Sequence, residues 1–273
     1  MKGLGGSRRG AEPGGQRSSG KAVHPSDWIG AVPVLLFPLA WYAAARILDT
    51  PLLPDPLRVL RRLASGSGWP GHLAASLGRI GLALLLALGT GFPLGILAAG
   101  RSRLSRVISL LGNLGHPIPK AVLLPPLVLL LGVGETSKIL LLFLVLFFPI
   151  LTAVRDAAGS LPEAWFLSLS SLGVPRHQHI PGLQTFRRLL IPALAPAILS
   201  SLRITLGVAV AVLFFTENFG TVLGMGQFIT DARIRVNYPD LYGGILVLSL
   251  TVLGLYLLLD GLEKLLSPWK RSR

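Results

Sequence analysis

No cysteine occurs among the 273 residues. Disulfides, thiolate catalysis and cysteine-ligated metals are thereby excluded. Charge is also scarce. Only 14% of residues are Asp, Glu, Lys or Arg, against about a quarter in a soluble domain. Acidic residues are the rarer sign, 12 against 26 basic ones, which leaves a net charge of +14. The chain has no GxxxxGK[ST] stretch and so no phosphate-cradling loop of that kind for hydrolysing ATP. No catalytic constellation of paired carboxylates, or of nucleophile and base, emerges either. His177 and His179 flank Gln178, but two histidines without a third ligand nearby make a poor metal site. They read as solvated loop residues, and neither a metal nor another cofactor is expected on this chain.

Apolar residues fill the chain instead, at 51%, with a mean hydropathy of +0.64. That excess belongs to a polytopic membrane protein. The basic residues cluster between apolar runs. They fit cytoplasmic loops and anionic lipid headgroups, not nucleic acid.

Six apolar runs predict six membrane spans: Trp28–Leu48, Leu77–Ala99, Ile118–Val133, Lys138–Val154, Ala193–Phe215 and Leu241–Leu259. The fold expected is all-α. Residues 1–26, rich in Gly, Arg and Ser, read as a disordered basic tail. Residues 27–269 form the membrane domain, and residues 270–273 a second basic tail. Between the first two runs, LLPDPLRVLRRL predicts a short amphipathic helix. Gly91 and Gly95 in the second run allow close approach of a neighbouring helix. Pro125 and Pro126 must kink or break the third, which suggests a helix inside the bundle. Gly132, Gly134 and Glu135 form a turn, and 218–240 a polar external loop. With the N-terminus inside, inner segments carry sixteen lysines and arginines against eight outside, among them Arg79 and Lys138. That bias puts both termini and the Ser160–Pro192 loop in the cytoplasm.

This loop, SLPEAWFLSLSSLGVPRHQHIPGLQTFRRLLIP, interrupts the apolar chain. Ser160 and Glu163 have capping-box spacing, and Gly173 with Pro175 ends a helix. The predicted helix, Leu161–Leu172, is about 18 Å long, too short to span a bilayer. Leu161, Trp165, Leu169 and Leu172 share one face. Such a helix either docks into another protein or lies in the lipid interface. Two charges also stand out. Arg203 lies within the fifth run and Glu217 just beyond it. Each is a candidate for a translocation pathway; the alternatives are snorkelling for Arg203 and the outer surface for Glu217. Roughly 21 Å apart along one helix, they are not expected to pair.

The ordered pieces LPDPLRVLRRL, SLGRIGLALLLALGTGFPLG, PIPKAVLLPPLVLLLGVGETSKI, FFPILTAVRD, IPALAPAILSSLR, TEN with GMG, and GGILVLSLTVLGLYLLLDGLEKLLSPWK span about Leu53 to Trp269. The set resembles the permease subunit of binding-protein-dependent ABC importers of the nitrate/sulfonate/taurine type. The resemblance implies a bacterial inner-membrane transport subunit without its own ATPase site. It also implies two ATPase subunits that bind ATP, a substrate-binding protein, a second permease copy and a small anionic solute. A thiamine-precursor pyrimidine is the alternative cargo, and a membrane protein outside the ABC class the alternative function. The 161–172 helix becomes the coupling helix, with Glu163, Ala164, Trp165, Leu167, Leu169, Leu172 and Gly173 facing the ATPase. The loop departs from the family's EAA motif. Counting back from Gly173, Leu167 takes the glutamate's place, and Glu163-Ala164-Trp165 sits four residues early.

Overall fold

The computed structural model describes residues 26–66, 68–162, 164 and 190–266, with side chains from residue 36 onward. No strand occurs among them. The chain divides into two units, 1–49 and 50–273. The first holds helix α1, Ser26–Leu48.

In the second unit α2 is Pro56–Ala64. Asp55 caps it by accepting from the Leu57 N–H at 2.8 Å, and Pro56 fits the first turn, where no N–H is missed. This is the helix expected from LLPDPLRVLRRL. Four longer helices follow: α3 (Trp69–Ala98), α6 (Glu135–Gly159), α7 (Ile191–Glu217) and α9 (Tyr238–Leu266). All four are long and apolar enough to cross a membrane. Between α3 and α6 the chain forms α4 (Arg103–Gly115), a 3-10 turn (Lys120–Leu123) and α5 (Leu124–Leu131). Helix α8, Met225–Ile234, joins α7 to α9.

Three expectations need correction. The run Ile118–Val133 is not a span by itself. Helix α5 has only eight residues, about 12 Å. Paired with α4 across a 92° bend it makes one broken span, which raises the count from four to five. The break sits where Pro117, Pro119, Pro125 and Pro126 withhold backbone donors. Six spans would require α1 as well. Nor is α5 enclosed by its own chain: Leu124 is buried, but Leu129 is 86% exposed. Lastly, the 218–240 segment is not only loop. It contains α8, whose Met225, Phe228 and Ile229 are buried with Val247.

The core lies where α3 and α7 pack on α6. Leu141, Leu142, Leu146 and Ile150 of α6 are fully buried there with Ala83 and Ala87 of α3 and Leu194 and Ala209 of α7. The GxxxG face of α3 points at α6, as expected. A Cβ on Gly95 would lie 2.6 Å from Val154 Cβ, and one on Gly91 would lie 3.2 Å from Ile150 Cγ2. Helix α4 packs beside α3 on α6, with Ile108 clustered with Ala98 and Leu151, Gly112 against Leu151 and Gly115 against Phe148.

Candidate functional site

Among the described residues, two clusters of three or more charged side chains lie in or at the ends of the long helices. The first joins Ser76 and Arg79 on α3, Glu135 and Lys138 in the first turn of α6, Glu217 at the end of α7 and the start of α8. Gly132, at φ +82°, makes the turn that delivers α6, and the Ser137 hydroxyl donates to the Gly132 and Gly134 carbonyls. Arg79 grips both carboxylates. Its Nε and Nη2 donate to Glu135 at 2.5 and 2.7 Å, and its Nη1 donates to Glu217 at 2.6 Å. Lys138 Nζ stands 3.8 Å from Glu135. The four charges balance.

Glu217 is 0% exposed, so the outer-surface alternative is overturned. Both of its oxygens are engaged. Oε1 accepts from Arg79 and from the Ser76 hydroxyl at 2.7 Å, and Oε2 accepts from the Gly226 N–H at 2.8 Å. Ser76 also accepts from the Met225 N–H at 2.9 Å. TEN and GMG, separate pieces in the sequence, therefore meet in space. Side chains are excluded there: a Cβ on Gly224 would lie 2.5 Å from the Glu217 carboxyl carbon. A charge so enclosed persists only because it is paired and hydrogen-bonded.

The second cluster is Arg203 of α7 with Asp260 and Glu263 of α9. Arg203 Nη2 lies 2.5 Å from Asp260 and 2.9 Å from Glu263. Arg203 thus pairs across helices and not with Glu217. Its side chain is 38% exposed and that of Asp260 is 47%. Above this triad, a groove of about 340 Å³ runs between α7 and α9, lined by Gly207, Val210, Phe214, Leu248, Ser249 and Val252. Gly207 and Tyr256 separate groove from triad; a Cβ on Gly207 would lie 3.0 Å from the Tyr256 hydroxyl. Arg203, Gly207 and Ala211 fall on one stripe of α7.

The coupling loop lies mostly outside the described residues. Glu163, Trp165, Leu167, Leu169, Leu172, Gly173, His177 and His179 are all there. Ala164 is helical and exposed. Ser160 is not in the extended conformation of an N-cap. It ends α6 at φ −92°, ψ 0°, and its hydroxyl donates to the Ala157 carbonyl. Arg79, Glu135, Lys138 and Asp260 were missed as site residues by the sequence. The rule that singled out Arg203, a charge in an apolar run, finds Arg79 too, and Asp260 lies just beyond a run as Glu217 does. Arg79 and Lys138, counted as outer loop charges, are instead buried in helices.

A family model described as the binding-protein-dependent transport system inner membrane component matches residues 91–272. The chain belongs to this family. The permease is also 33% identical over 251 residues, 88% of either chain, to the taurine transport system permease of Escherichia coli. It is 28% identical over 242 residues to the formylaminopyrimidine transport permease of Halalkalibacterium halodurans, covering 88% of this chain and 94% of the relative. A Bacillus subtilis permease named for aliphatic sulfonates is 28% identical over 229 residues, 83% of this chain and 81% of that one. The expected kinship with ABC-importer permeases of the sulfonate and taurine type stands. As an inner-membrane component of a binding-protein-dependent system, the permease is a transport subunit.

Proposed function

We propose that the permease carries a small sulfonate- or taurine-like anion across the bacterial inner membrane, without an ATPase site of its own. A substrate-binding protein delivers the solute outside, and two ABC ATPase subunits bind ATP inside. A second permease copy completes the pathway, and both termini face the cytoplasm. The observation that carries this reading is the likeness to the taurine permease, which runs nearly end to end. A pyrimidine precursor of thiamine is the second reading, favoured by the relative that is matched over 94% of its length.

Arg203 is proposed for the pathway, because a charge one-third exposed does not face acyl chains. It faces a water-filled cavity or the second copy. The groove above it supplies an apolar approach and the guanidinium a partner for the anion. Glu217, also proposed for the pathway, serves by holding the ends of α3, α6, α7 and α8 together at its mouth. ATP closure of the ATPase pair moves the coupling helix, and the spans rearrange.

The test is uptake into vesicles that hold the permease, its ATPase and its binding protein. Arg203→Gln is expected to lower taurine uptake by about tenfold, the equivalent of ~1.4 kcal/mol, while Arg203→Lys retains part of it. Unchanged uptake by an inserted Arg203→Gln protein would remove Arg203 from the pathway. Uptake of the pyrimidine and not of taurine would favour the second reading.

A further inference from the structure

We propose that α2 is a membrane-surface helix that binds anionic phospholipid headgroups through Arg58 and Arg61. At 100° per residue its nine positions divide into three faces. The inner face carries Val59, fully buried, and Leu63, which sits against Gly243 so closely that a Cβ there would come within 3.0 Å. At the border of this face Arg62 forms a two-point pair with Asp240, at 2.8 and 3.1 Å. The pairing raises the Arg62 guanidinium above its ordinary value, by hydrogen bond first and charge second.

These contacts set the depth of α2 in the membrane. Asp240 is in the first turn of α9. Trp69, the first residue of α3, donates from its indole Nε1 to the Leu63 carbonyl at 3.1 Å. Both α3 and α9 are membrane-spanning candidates. A helix tied to the ends of two spans lies at the level where acyl chains give way to headgroups, and a tryptophan at that level is expected.

The other two faces suit that position. Leu57 and Leu60 are apolar and 52% and 51% exposed, and they adjoin Ala64, also exposed. Arg58 and Arg61 are exposed on the opposite border. Among the described residues neither forms an ion pair, whereas Arg62 does. Apolar residues beside free cations on a helix fixed at the boundary fit a lipid surface, with leucines in the acyl region and arginines at phosphates. An acidic protein partner would use the arginines but leave the leucines without a reason. The inference holds whatever the solute and whichever leaflet α2 faces.

The cysteine-free chain allows one label at a time. Leu60→Cys carrying bimane is placed in the full-length permease with its ATPase, in vesicles of phosphatidylcholine and phosphatidylglycerol. Bromine quencher is put on the acyl chains of one lipid or the other. Phosphatidylglycerol carrying bromine is expected to quench severalfold more strongly, since the attraction of each arginine to an anionic surface is worth roughly fivefold in binding. Arg58→Gln with Arg61→Gln should bring the two lipids to parity while the label stays lipid-quenched. Arg58→Lys with Arg61→Lys should keep the preference. Equal quenching by both lipids without the arginine changes would overturn the proposal. So would a label reached by aqueous iodide and shielded only when the binding protein is added.

Discussion

Glu217 ties α7 to α3 and α8 from a fully buried position. Its carboxylate takes three donors from two elements, Arg79 and Ser76 of α3 and the Gly226 N–H of α8. Glu217→Gln keeps an acceptor for one of them but turns amide hydrogens or a weaker oxygen toward the others, and it leaves Arg79 with one carboxylate. Removing one member of a buried pair costs about 3–5 kcal/mol. Thermal unfolding of the purified permease should show a loss near the lower end, because Glu135 still faces Arg79. Arg79→Gln combined with Glu217→Gln should cost less than the two single changes added together. Strict additivity would mean that the pair is not coupled. Half of this was legible in the sequence. An ionisable group beside an apolar run is conspicuous, so Arg203 and Glu217 stood out. Their partners did not, because Arg79 and Glu217 are 138 positions apart and no local spacing announces such a pair.

Helix pairing in this protein depends on missing side chains. Along α3, Gly91 and Gly95 admit α6, and the Leu151 carbonyl oxygen lies 2.9 Å from the place of a Gly95 Cβ. Gly95→Ala therefore pushes against both the side chain of Val154 and the backbone. Overpacking of this kind costs about 1–3 kcal/mol. Adding Val154→Ala should recover part of that loss and not all, since the carbonyl remains. Unfolding temperatures of the single and double variants check this. A Gly95→Ala protein as stable as the parent would show that the helices separate freely. The long helices and this glycine face were readable because period and length both declare them. The short helices were not. Helix α4 begins inside the stretch RSRLSR (101–106), whose three arginines mark the end of the preceding run, and α8 follows a Gly-containing loop. Both are held by packing, α4 through Gly112 and Gly115 on α6 and α8 through Met225 and Phe228. Such tertiary support is invisible to periodicity.

At the scale of the whole molecule, the balanced quartet and the Ser160–Pro192 loop belong to opposite ends of the spans. Glu135 opens α6 and Glu217 closes α7, while Gly159 closes α6 and Ile191 opens α7. The same two helices therefore connect the quartet to the loop, and a push at the loop reaches the quartet through rods of about 38–40 Å. For that push to come from an ATPase, the loop must be cytoplasmic and must bind. A single Ser171→Cys in the cysteine-free chain should resist an impermeant thiol reagent applied outside cells and react when the membrane is opened. Binding is then tested at Trp165 and Gly173. On the helix expected there, Trp165 would share a stripe with Leu161, Leu169 and Leu172, and a buried aromatic anchor is worth ~2 kcal/mol or more to an interface. Gly173 is the expected left-handed stop, where a β-branched residue is strained. Trp165→Ala and Gly173→Val should both insert normally yet copurify with less ATPase in detergent and lose uptake in vesicles. A helix lying in the lipid interface predicts the reverse for association: the loop loosens from the membrane while the ATPase still copurifies. Normal copurification together with normal uptake in both variants would end the coupling role of this segment, and the two rods would then need another source of motion.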